Sequence, residues 1–121
     1  RKAVAAQVPG VMAAHVIVPQ WDDLPASLSP VAIGRILRGQ LGFGGLSFTD
    51  DLEMGAIAKH WPVGEAAALA VAAGHDVLLI CQHLENIEAS LAMLNNRPDL
   101  EQHRQAAWQR LVHVKRRLLA G

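Results

Sequence analysis

The stretch Asp-Val-Leu-Leu-Ile-Cys at residues 76–81 decides the fold class of this 121-residue chain. After its first residue the stretch is continuously apolar, which is typical of a parallel strand buried on both faces. Two further apolar runs, 11–18 and 45–49, precede it, and a helical pattern follows each of the three runs. Because strands and helices alternate over short connections, the sequence predicts right-handed βαβ units and a parallel sheet.

Four helices are predicted from apolar residues that recur at spacings of three and four. Ser29 followed by Pro30 is typical of a helix N-terminus, and Gly42 and Gly74 are typical of helix ends. The predicted ranges are approximately 30–41, 64–73, 85–94 and 99–119.

The three strand starts, near residues 13, 45 and 76, define a repeat of about thirty residues. A (β/α)₈ barrel of about 250 residues has about the same period, so three units fit the last part of such a barrel. A small open α/β domain with three parallel strands fits the same spacing, and the spacing alone leaves both alternatives open.

Composition and charge exclude several classes of protein. Hydrophobic residues make up 51% of the chain and charged residues 18%, which indicates a globular and not a disordered protein. Eleven basic and eleven acidic residues balance, which argues against a nucleic-acid or anionic-membrane partner. The single cysteine cannot form an internal disulfide, and no run of eighteen apolar residues is present to span a membrane.

Acidic residues are concentrated at the end of the second predicted strand, in Thr49-Asp50-Asp51-Leu52-Glu53. Functional residues of α/β folds collect at the C-terminal ends of strands. Since successive side chains of a strand alternate in direction, one of the two adjacent aspartates is expected to point into the strand-end cleft. That carboxylate would suit a nucleophile, a general base or a metal ligand. The alternative is that Asp50 or Asp51 caps a short helical turn at 53–58.

Two other polar residues lie among apolar neighbours. His15, near the end of the first predicted strand, is more typical of a hydrogen-bonded core histidine than of a ligand. Cys81, at the end of the third, is predicted to be an inert core thiol.

Residues 42–56, Gly-Phe-Gly-Gly-Leu-Ser-Phe-Thr-Asp-Asp-Leu-Glu-Met-Gly-Ala, closely resemble the signature of glycoside hydrolase family 3. More narrowly, they resemble its β-N-acetylhexosaminidase branch, whose members read Ser/Thr-Asp-Asp-Leu-x-Met at this place. Residues 11–16, 28–30 and 72–79 match the same branch, so the resemblance spans approximately residues 8 to 94. Ser47 departs from it, because the branch usually has an aliphatic residue there.

The resemblance implies a (β/α)₈ TIM barrel in which these strands are the sixth, seventh and eighth. Residues 1–97 would form the last three βα units of the catalytic domain, and 98–121 a C-terminal helix packed on the barrel. Asp50 would be the catalytic nucleophile of a retaining enzyme that removes terminal β-linked N-acetylglucosamine from muropeptides or chitooligosaccharides. No metal or organic cofactor is implied.

With Asp50 as the nucleophile, we expect three further residues to have roles in the sugar site. His15 would face the cavity and help hold the nucleophile. Asp51 would support it or cap a helix, and Met54 would form a wall of the pocket.

The general acid/base of this branch resembles an Asp-His pair on a loop after the fifth strand, upstream of residue 1. None of the six histidines matches it. We therefore expect the 121 residues to be inactive alone and the full-length protein to be the enzyme.

Two other functions remain as alternatives. A family 3 β-glucosidase or xylosidase usually has Trp where this chain has Asp51. In a noncatalytic α/β binding module, Asp50 would act only as a cap. Open sheet edges also predict that the chain self-associates.

Overall fold

The computed structural model describes all 121 residues and contains a three-stranded parallel sheet flanked by helices. The strands are β1 (Gly10–Ala13), β2 (Leu46–Asp51) and β3 (Val77–Leu79), and β2 lies between the other two. All pairings are parallel, which confirms the predicted α/β class and the parallel sheet.

The four predicted helices are present in the predicted order, with ends that differ by at most two residues. Ser29 Oγ accepts the Ala32 N–H at 3.0 Å, and Gly74 ends its helix in the left-handed conformation at a φ of 111°. None of the helices is both long and apolar enough to cross a membrane. They are α1 (Lys2–Ala5), a π helix (Val31–Gln40), α2 (Gly55–Ala58), α3 (Val63–Ala73), α4 (Leu84–Asn95) and α5 (Glu101–Ala120), with 3₁₀ turns at Ala26–Leu28 and Pro98–Leu100.

Two predicted strands are longer than the strands in the structure. Beyond Ala13 the first run leaves the sheet, and only an isolated antiparallel bridge joins Ile17 to Pro25. The third run pairs only over Val77–Leu79, which is half-buried because β3 lies at an edge of the three-stranded sheet. The chain has left the strand by Cys81, whose side chain is exposed, so the prediction of a core thiol is wrong.

The core lies between the alanine-rich face of α3 and the segments that follow β1 and β2. Leu28, Leu52 and Ile57 are fully buried there against three alanines of α3. Leu52 directly follows the two aspartates, so its burial anchors the end of β2 in the core.

The opposite end of the sheet is held by a buried ionic cluster. The Asp76 side chain is fully buried and accepts hydrogen bonds from Arg38 Nη2 at 2.5 Å, Arg110 Nε at 2.7 Å and the Ser47 N–H at 2.8 Å. Because Arg110 belongs to α5, this cluster attaches the C-terminal helix to the start of β3.

Candidate active site

The C-terminal end of β2 is irregular at the predicted nucleophile. Phe48 pairs with Val77 and Asp51 pairs with Leu79, so three steps along β2 match two steps along β3. The extra residue is a β-bulge, a feature that bends a strand and changes the direction of its side chains. Thr49 Oγ1 lies in this segment and accepts the Leu79 N–H at 3.0 Å. The bulge places Asp50 where the simple alternation of a regular strand does not apply.

Three carboxylates lie within four residues at this end, and Asp50 has the fewest partners. Its Oδ1 accepts the N–H of the next residue, Asp51, at 2.8 Å, and the carboxylate makes no other hydrogen bond in the chain. The residue is partly exposed. Most of its lone pairs are therefore available to a bound molecule.

Asp51 uses its side chain to organise the loop. Its Oδ1 accepts the Glu53 N–H at 3.1 Å and the Cys81 N–H at 3.3 Å. No side chain caps α2, whose N-cap residue is Met54. The expected turn at 53–58 thus has its first N–H group, that of Glu53, bound by Asp51, whereas the helix itself begins two residues later than expected and neither aspartate binds its N–H groups.

Glu53 is the most engaged of the three carboxylates, and its side chain is only 5% exposed. Burial raises its pKa, but hydrogen bonds from the Asn86 amide, the Gln82 N–H and His83 outweigh this and lower the pKa to about 2. The sequence indicated Glu53 only as a third acidic residue. Its donors come from a segment thirty residues away, which no local pattern reveals.

His15 contacts the backbone beside the nucleophile position. Its Nε2 lies 2.8 Å from the Asp51 carbonyl oxygen and must donate, because a carbonyl has no hydrogen. In the neutral ring Nδ1 then accepts, so the hydroxyl of Ser27 donates to it across 2.6 Å. The expectation of a hydrogen-bonded histidine is confirmed, but the residue is only half-buried and is therefore not a core histidine.

Met54 directly follows the carboxylate segment, and its side chain is 43% exposed. It makes no core contact of the kind that Leu52 makes, so it is free to contact a ligand.

A second histidine, missed by the sequence analysis, accounts for the departure at Ser47. The Ser47 hydroxyl and His75 Nδ1 are 2.9 Å apart, and both side chains are buried. Burial lowers the pKa of His75 to about 4. A serine in place of the usual aliphatic residue therefore gives a buried imidazole a hydrogen-bond partner.

No group of three or more His, Cys, Asp or Glu side chains is arranged to hold a metal ion.

Comparisons with known proteins agree on one family. The family model described as the glycosyl hydrolase family 3 N terminal domain matches residues 1–114. A beta-hexosaminidase of Alkalilimnicola ehrlichii is 37% identical over 93% of this chain, and one of Nitrosospira multiformis is 43% identical over 78%. Among solved structures, a family 3 beta-N-acetylglucosaminidase from Paenibacillus sp. str. FPU-7 superposes on 96% of the chain with a TM-score of 0.91 and 39% identity.

The chain corresponds to only part of each of these proteins. It spans 37% and 27% of the two beta-hexosaminidases and 23% of the Paenibacillus enzyme.

Proposed function

The chain belongs to glycosyl hydrolase family 3, and on that premise we propose that it supplies the nucleophile of a retaining β-N-acetylglucosaminidase. The observation that carries this proposal is the contrast among three neighbouring carboxylates. Asp51 Oδ1 accepts two loop N–H groups and both oxygens of Glu53 are bonded, whereas Asp50 accepts one hydrogen bond, from the next residue, and its Oδ2 has no partner.

The end of β2 suits a nucleophile, because a carboxylate that attacks one carbon must be held in a fixed position. On one side of Asp50, Thr49 is fully buried and bonded to β3. On the other side, the Asp51 carbonyl is held by His15 and Leu52 is fully buried. The backbone of Asp50 is thus fixed on both sides while its carboxylate remains free.

In the proposed mechanism the Asp50 carboxylate attacks the anomeric carbon of a terminal β-linked N-acetylglucosamine. The bond to the leaving-group oxygen breaks as a general acid protonates that oxygen, which leaves a covalent glycosyl ester on Asp50. The same acid/base group then removes a proton from water, which attacks the anomeric carbon and releases the sugar with retained configuration. The substrates would be muropeptides or chitooligosaccharides.

The barrel assignment supplies the rest of the site. We propose that residues 1–97 are the last three βα units of a (β/α)₈ barrel, with β1, β2 and β3 as strands six to eight. Residues 98–121 would pack on that barrel as a C-terminal helix. The general acid/base would come from outside these 121 residues, so the chain alone would not hydrolyse a glycoside.

The remaining site residues have supporting roles in this proposal. His15 would position Asp50 through the Asp51 carbonyl, and Asp51 would order the loop to Cys81. The exposed side chain of Met54 would form a wall of the sugar pocket.

The test is Asp50→Asn in the full-length protein, with Asp51→Asn as the matched control. On a fluorogenic N-acetyl-β-glucosaminide, we expect Asp50→Asn to lower kcat by about 10³-fold or more, because the covalent step is lost. Asp51→Asn should lower it far less. In an Asp50→Gly variant, azide should restore turnover and give the α-glycosyl azide, the product of direct attack on the opposite face.

Two results would contradict the proposal. One is an Asp50→Asn variant that retains most of its activity. The other is a β-glucoside that is hydrolysed faster than the N-acetylglucosaminide, which would instead favour the glucosidase branch.

We further propose that the isolated chain self-associates through the exposed edge of β1. A largely apolar groove of about 490 Å³ adjoins this edge, between the face of β1 and β2 and the helix α5, and Met12 on β1 is 56% exposed. Light scattering on the 121-residue chain should show a dimer or a larger species, and a monodisperse monomer would contradict this expectation.

A further inference from the structure

Two carboxylates at the end of β2 bind three consecutive N–H groups of the connection between β3 and α4. Asp51 Oδ1 accepts the Cys81 N–H at 3.3 Å. Glu53 accepts the Gln82 N–H at 2.5 Å through Oε2 and the His83 N–H at 3.1 Å through Oε1. Since α4 begins at the next residue, Leu84, these carboxylates hold the backbone of the segment that leads directly into the helix.

Side chains from the same segment close the contact around Glu53. His83 Nδ1 donates to Oε1 at 2.7 Å, and the Asn86 amide donates to the same oxygen at 2.6 Å. The hydrogen bonds to Glu53 also raise the pKa of His83, which favours the ion pair between them. Both oxygens of Glu53 are thus occupied, so this carboxylate is not available to a substrate.

The clamp, as we call these contacts of Glu53 with residues 82–86, joins the loops that follow two neighbouring strands. Glu53 lies in the first loop, three residues after Asp50, and the second loop leaves β3, the partner strand that supports the bulge. The signature Asp-Asp-Leu-x-Met leaves the position of Glu53 open, so the resemblance assigns it no role.

We propose that Glu53 is a positioning residue of the hydrolase, which fixes the two strand-end loops to each other and thereby fixes Asp50 relative to the sugar. This inference rests on the proposed function. Misplacing a reacting group by about 1 Å can cost about a hundredfold in rate, so a clamp outside the reacting atoms can have a large effect.

The structural part is tested in the full-length protein by amide hydrogen exchange. Glu53→Gln keeps the size of the side chain but removes its charge and one acceptor oxygen. We expect the exchange of the Gln82 and His83 amides to become at least tenfold faster, while amides in the middle of α4 are unchanged. The matched control is Glu85→Gln, which removes an exposed carboxylate from the first turn of the same helix. Equal effects in the two variants would overturn the clamp.

The functional part is tested in the full-length enzyme by separating kcat from KM. We expect Glu53→Gln to lower kcat about tenfold to a hundredfold with less than a threefold change in KM, and Glu85→Gln to change neither. Glu53→Asp, which keeps the charge, should recover part of the loss. A normal kcat together with fast exchange at residues 82 and 83 would overturn the positioning role, and so would a change confined to KM.

Failure of this inference is distinguishable from failure of the proposed function. If Asp50→Asn abolishes turnover and Glu53→Gln does not affect it, only the positioning role is wrong. If Asp50→Asn is active, the proposed function is wrong, whereas the exchange result at residues 82 and 83 still reports on the clamp.

Discussion

Asp76 and Asp50 lie at opposite ends of the same sheet and differ in burial and in the number of hydrogen bonds that their carboxylates accept. The Asp76 side chain is fully buried, and its two oxygens accept hydrogen bonds from two arginines and a backbone N–H. The Asp50 side chain is partly exposed and accepts one hydrogen bond from the neighbouring residue. Arg38, which binds Asp76, also donates to the carbonyls of Phe43, Gly45 and Gly74.

The difference separates a structural carboxylate from one that is available to a ligand by its hydrogen-bond partners and not by its residue type. A buried carboxylate is tolerated only when its charge and its lone pairs are satisfied, and then it has little left to offer a ligand. A nucleophile needs the opposite arrangement, with a fixed backbone and unoccupied oxygens. By this criterion Glu53 resembles Asp76 although it lies at the same end of the sheet as Asp50.

The largest expected effect that tests this comparison comes from Asp76→Asn. Removing the charge leaves two arginines that are mostly buried, with side-chain exposures of 15% and 27%, without their counter-ion. We expect a loss of about 3–5 kcal/mol in the free energy of unfolding, measured by urea denaturation followed by tryptophan fluorescence. Asp50→Asn is the matched change at the free carboxylate and should alter stability by less than about 0.5 kcal/mol.

The two variants therefore test whether each carboxylate contributes to the stability of the fold. A stability loss below about 1 kcal/mol in Asp76→Asn would contradict the structural role assigned to the cluster. A large stability loss in Asp50→Asn would show that the Asp50 carboxylate contributes to the fold, which its single hydrogen bond does not suggest.

Much of the sheet could be predicted from the sequence because its signals are local. The three apolar runs, the serine before the first long helix and the glycine after α3 each act through neighbouring residues, and all correspond to features of the structure. The strand ends were less predictable. Whether Val77–Leu79 is buried on both faces depends on which elements pack against it, and the apolar sequence of this strand does not show which elements those are.

The sequence predicted which residues belong to the candidate site but not which residues they contact. The position of Asp50 at a strand end follows from the pattern. The bulge that holds it arises from pairing with β3, and the partners of Asp51 and Glu53 lie about thirty residues away. The partner of Ser47, His75, is also remote in sequence, so the serine reads as an unexplained departure until the fold brings the two together.

A smaller effect is expected from His75, a buried polar group near the Asp76 end of the sheet. Burial lowers its pKa to about 4. The positive charge of Arg38 also lowers the pKa, whereas the negative charge of Asp76 raises it. In the unfolded chain the pKa returns to about 6.5. Between these two pH values the unfolded state therefore binds more protons than the folded state, and stability falls as the pH falls from 6.5 to 4. The loss is roughly 3 kcal/mol at pH 4 and levels off about one pH unit lower, where the imidazole is protonated in both states.

The measurement is the free energy of unfolding at pH values from 7.5 to 4 for the wild type, His75→Gln and the control His113→Gln. Other groups titrate in this range, so the informative quantity is the difference in slope between variants. His75→Gln should lower stability at pH 7.5, since Ser47 loses its partner, but it should remove most of the decline toward pH 4. His113 is exposed on α5, and its replacement should leave the decline intact. If the pH dependence of unfolding has the same slope in His75→Gln as in the wild type, the expectation is wrong. The buried histidine then becomes charged in the folded state, and water reaches the end of the sheet around Asp76 more easily than its burial indicates.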